Sequence, residues 1–73
     1  MEYMKGGYYL LYLLSEVIAQ IQEDQIFKAY FANTNWYITK SFEFIRYCDE
    51  DGNPDNIVPL TPSNLGARYE FIK

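Results

Sequence analysis

The chain has 73 residues, ten Asp and Glu against six Lys and Arg, a net charge of −4, one Cys and no His. That length allows a single domain whose core barely offsets chain entropy, the lone Cys48 excludes an internal disulfide, and the absence of His excludes a zinc knuckle or a His-carboxylate metal site. A single cysteine also fits a reducing, cytoplasmic setting better than a secreted one.

In chain order, residues 1–7 end in Gly6-Gly7 and predict a flexible lead. Lys5 followed by the apolar run from Tyr8 to Leu14 resembles a signal peptide, with Val17-Ile18-Ala19 as the cleavage site. Tyrosines interrupt that run, Glu16 lies just before the supposed cut, and the run is too short to span a bilayer. A soluble protein without membrane contact is therefore expected.

A 3.6-residue period puts Leu10, Leu13, Leu14, Val17 and Ile21 on one arc, which predicts a helix over 8–23. Tyr8, Tyr12 and Glu16 fall on its opposite face, where the core has no use for them, and are candidate contact residues. Asp24 is placed to cap a short second helix over 25–32, in which Phe27, Tyr30 and Phe31 share a face, with a strand as the competing reading. Asn33-Thr34-Asn35 breaks either element.

From Trp36 the chain turns to β-branched and aromatic residues, and Phe42, Phe44, Arg46 and Cys48 alternate with Glu43, Ile45 and Tyr47. Asp49-Glu50-Asp51-Gly52-Asn53-Pro54-Asp55 is rich in turn formers, so a hairpin is predicted over 42–60, with Pro59 ending its second strand. A loop over 61–66 leads to a last strand near 67–72, with Tyr69 and Phe71 on one face. Helices first and strands second predict an α+β domain: an amphipathic helix on a small antiparallel sheet.

Catalytic chemistry has little to work with. A nucleophilic triad needs a base, and without His the only proton-transfer groups are carboxylates, lysines and tyrosines at no recognisable spacing. Cys48 stands beside acids that disfavour its thiolate. The alternation of Asp49, Asp51 and Asn53 resembles a calcium loop, but with Gly52 in the sixth position the first would be Tyr47 and the twelfth Val58, so the first and last ligands are missing. No enzyme activity, cofactor or metal is expected.

Charge placement carries more information. Between Glu43 and Asn56 lie five acids and one base, so the whole net charge resides in and beside one hairpin. Focused negative charge next to an aromatic steers a protein toward a basic surface, including one that ordinarily takes nucleic acid. The expected contact residues are Asp49, Glu50, Asp51, Asp55 and Tyr47, together with Tyr8, Tyr12 and Glu16.

The expected function is that of a small acidic module of phage or mobile-element type, acting in the host cytoplasm. It would dock on a basic surface of a larger nucleic-acid-processing protein and inhibit or modulate it. The abundance of Asn, Ile, Lys, Tyr and Phe, residues of AT-rich codons, is the basis for that origin. One alternative is a homodimeric accessory protein assembling through its surplus aromatics. Another is a winged-helix-like nucleic-acid binder, which the charge disfavours: its wing would be acidic, and the Lys and Arg residues are scattered singly along the chain.

Overall fold

The computed structural model describes residues 2–4 and 9–73. Strands β1 (Glu2–Met4) and β2 (Tyr9–Tyr12) lead into helix α1 (Leu14–Gln20), then β3 (Ile26–Phe31), β4 (Thr34–Ser41), β5 (Phe44–Cys48) and β6 (Pro54–Ile57). A short helix α2 (Pro62–Gly66) and strand β7 (Arg68–Phe71) complete the chain. All strands join one antiparallel sheet in the order β1-β2-β7-β3-β4-β5-β6. The α+β class is as predicted, with the sheet as its larger part.

The core lies on one face of this sheet, under both helices. Pairing of Phe27 with Ile38 and Phe71, and of Ala29 with Trp36 and Tyr69, sets the inward-facing rows of β3, β4 and β7. Leu14 and Val17 descend on them from α1 and Ile21 from the residue that ends it, with Val58 and Ala67 in the same core. The helical period read from the sequence is thus the one that buries α1, but over a shorter span. Leu13 is extended (φ −79°, ψ 160°) and donates its N–H to Glu16 Oε1 at 2.7 Å, which caps the helix and separates it from β2.

Several predicted elements differ. The helix predicted over 8–23 is confined to Leu14–Gln20, because Tyr9–Tyr12 is strand, paired with β1 on one side and β7 on the other. A tyrosine and leucine run serves either period, and a ladder on both sides decides for the strand. Residues 25–32 form no helix; β3 is the central strand between β7 and β4, the competing reading of that stretch. The break expected at Asn33-Thr34-Asn35 falls one residue earlier, at Ala32 and Asn33, with Ala32 at φ 55°. Residues 2–4, counted in the flexible lead, pair with β2.

The alternation read through Phe42 is cut by a two-residue turn at Phe42-Glu43, so Ser41 pairs with Phe44. The hairpin predicted over 42–60 is the β5–β6 pair within it. The loop expected over 61–66 contains α2, whose start is set by Pro62 and by Thr61 Oγ1 accepting the Asn64 N–H at 3.2 Å. With seven- and five-residue helices set into a sheet, the order of a winged helix is not formed. No helix among the described residues is long and apolar enough to cross a membrane.

Candidate functional site

The acidic loop joining β5 to β6 is organised by one of its own carboxylates. Asp49 Oδ1 accepts the N–H groups of Asp51 and Asn53, each at 3.0 Å, and Oδ2 accepts Asn53 Nδ2 at 2.9 Å. These bonds, the Asn53 side-chain bond foremost, hold the Asp49 carboxyl below its usual value. Gly52, at φ +89°, comes so close to the sheet that a Cβ added there would lie 2.9 Å from Ile26 Cδ1. The loop is therefore closed and seated on Ile26, which is buried. Glu50, Asp51 and Asp55 are exposed on it.

Arg46, the one base of this segment, turns back on its own hairpin. Its Nη1 donates to Asp55 O at 3.2 Å, and the guanidinium lies 5.8 Å from the centre of the Phe44 ring. A cleft of about 410 Å³ at the hairpin is lined by Tyr47, Cys48, Asp49, Asn53, Pro54 and Asp55. The Cys48 thiol there is pushed up to about 11, by burial first and by the Asp49 charge second. A thiol held protonated at neutral pH is a poor nucleophile. No group of three potential metal-binding side chains occurs among the described residues.

The expected contact residues divide. Glu50, Asp51 and Asp55 come together with free access to solvent, while Asp49 is beside them but engaged in the loop. Tyr47 packs against the core at the hairpin's root, and its hydroxyl accepts Asn64 Nδ2 at 2.9 Å. Tyr12, predicted on an outer helical face, lies in β2 with its ring edge-on to Phe27 at 6.2 Å, because the strand turns it inward. Glu16 spends its carboxylate on the cap of α1. Tyr8 lies outside the described residues.

Two features escaped the sequence. Lys28 meets two aromatic rings on the sheet's second face, its Nζ 5.3 Å from the Tyr30 ring centre and 5.7 Å from that of Tyr37. The Tyr30 contact follows from the two-residue spacing along β3, while strand register makes the Tyr37 contact, which no local spacing announces. The other is a group of apolar side chains at the opposite end of β5: Phe42 is 82% exposed, and Phe44 and Ile57 are half exposed. Comparison with known proteins returns no matching family model, no matching curated protein and no matching solved structure.

Proposed function

We propose that this protein is a binding module that docks through the acidic β5–β6 hairpin on a basic surface of a larger nucleic-acid-processing protein, and inhibits or modulates it. The observation that supports this reading is the closed loop: Asp49 fixes the backbone, and Glu50, Asp51 and Asp55 are held out to solvent on it. A loop already ordered loses little entropy on binding, and clustered charge raises the association rate toward a surface of opposite sign.

The test is reversal of the two acids that the fold does not use. Glu50→Lys with Asp51→Lys brings the net −4 between Glu43 and Asn56 to zero while leaving the Asp49 bonds in place. Surface changes of this kind alter stability by less than about 0.5 kcal/mol, so the variant folds. A partner captured on the native protein from its source cell is then assayed for nucleic-acid binding and for its association rate. Native association slows as salt rises, and the variant's is slower and nearly salt-independent. Equal rates and equal salt responses would refute the proposal.

A further inference from the structure

The β4–β5 turn is built against the conformational preference of its residues. Both central positions have positive φ, 53° at Phe42 and 70° at Glu43, the geometry in which Asn, Asp and Gly are the favoured residues. A phenylalanine in the left-handed region is a genuine outlier, and at 82% exposure its ring returns almost nothing to the core. The turn is nevertheless held firmly. Glu23, in the α1–β3 connection, accepts the Phe42 N–H on Oε1 at 3.0 Å and the Glu43 N–H on Oε2 at 2.9 Å, and the neighbouring Asp24 N–H donates to Lys40 O at 2.9 Å. Strain of this kind persists where the surroundings over-determine it, and it clusters at ligand clamps and switch regions.

The surroundings indicate what the ring meets. Phe44, the residue closing the turn, and Ile57, diagonal to it across β5 and β6, are half exposed on the same face. Glu23 and Glu43 lie at the turn itself, Asp24 adjoins it through its bond to Lys40 O, and Asp55 and Arg46 lie beside Ile57 on the paired strands, so acids outnumber bases next to this apolar group. Arg46 is already drawn onto Phe44 and Asp55. An apolar anchor with an acidic border fits an apolar pocket with a basic border. A second copy of this chain is the wrong partner, because a two-fold contact through the turn would set Glu43 and Asp24 of each copy against those of the other.

We infer that Phe42, flanked by Phe44 and Ile57, is the anchor of the docking surface and inserts into an apolar pocket bordered by Lys and Arg on a different protein. This rests on the docking function proposed above and names the chemistry of the partner's surface.

The probe is a displayed library of random peptides selected on the full-length native protein. Recovered binders are expected to carry apolar residues flanked by Lys or Arg. Phe42→Asn, which suits a positive φ, is expected to fold with a urea midpoint at or above the native one and to bind these peptides at least about tenfold more weakly. Phe42→Tyr, which keeps the ring, is expected to bind within about threefold of native. Binders without basic residues, or recovery of no binders, would overturn the inference. So would native affinity in Phe42→Asn, or a concentration-dependent dimer in sedimentation that this variant abolishes. The two readings separate on one set of peptides: loss of binding with Glu50→Lys and Asp51→Lys but not with Phe42→Asn keeps the acidic hairpin and removes the anchor, and the reverse pattern keeps the anchor alone.

Discussion

At the scale of single residues, the acidic loop shows why acids that look alike in sequence are not interchangeable. Asp49, Glu50 and Asp51 are consecutive carboxylates, yet it is Asp49 whose Oδ1 accepts the backbone N–H groups two and four residues on. Reversing Asp49 would test the loop and the contact surface together, whereas reversing its neighbours tests the surface alone. Gly52 is the other residue that the loop depends on. A methyl group there meets only the far end of the Ile26 side chain, which can turn aside, but φ +89° remains costly for any residue with a Cβ. Gly52→Ala is therefore expected to lower stability by about 1–2 kcal/mol, read as a fall in the urea midpoint, with faster hydrogen exchange at the Asp51 and Asn53 amides. Unchanged exchange at those amides would mean that the loop tolerates a Cβ in this left-handed conformation.

At the scale of elements, α1 is legible because its period is carried by residues that no other arrangement buries so well. Leu14 and Val17 are almost wholly buried, and Ile18, one step off the arc, is half exposed. Leu14→Ala is expected to cost about 2–5 kcal/mol and Ile18→Ala less than about 0.5; equal melting temperatures for the two variants would contradict this placement of the helix. The start of the predicted helix was not legible. Tyr9 to Tyr12 satisfies both periods, and the edge offered by β7 comes from the far end of the chain. The Phe42-Glu43 turn was hidden for a different reason: it lacks the Gly or Asn that marks such turns, and its stabilising partner, Glu23, is about twenty residues away. Hence the charge of the candidate site could be read from composition along the chain, while its apolar anchor could not. The start of α2 did carry a signal, Thr61 before Pro62, but five residues are too few for a period to confirm it.

At the scale of the whole molecule, Asn64 joins the hairpin to the rest of the fold. Buried in α2, its Nδ2 donates to Tyr47 Oη on β5 at 2.9 Å and to Pro59 O at 2.8 Å, and its carbonyl accepts the Tyr69 hydroxyl of β7 at 2.8 Å. A buried network with each of these groups satisfied favours one arrangement of its elements, and it ties the root of the candidate docking hairpin to the central core. Tyr69 is also the group through which alkali acts on this junction. Burial, and secondarily the neighbouring Tyr47, pushes its pKa from 10.0 up to about 12. Between those values the unfolded chain has released this proton and the folded one still holds it, so stability is fully present below about pH 10 and is lost as pH rises toward 12. Removing the hydroxyl leaves the Asn64 carbonyl unsatisfied, and Tyr69→Phe should therefore be less stable at neutral pH by about 1–3 kcal/mol. Its urea midpoint should also fall less steeply than the native one above pH 10, because the group whose titration differs between the two states is gone. An equally steep alkaline fall in both proteins would assign the loss to other groups and leave Tyr69 with a packing role alone.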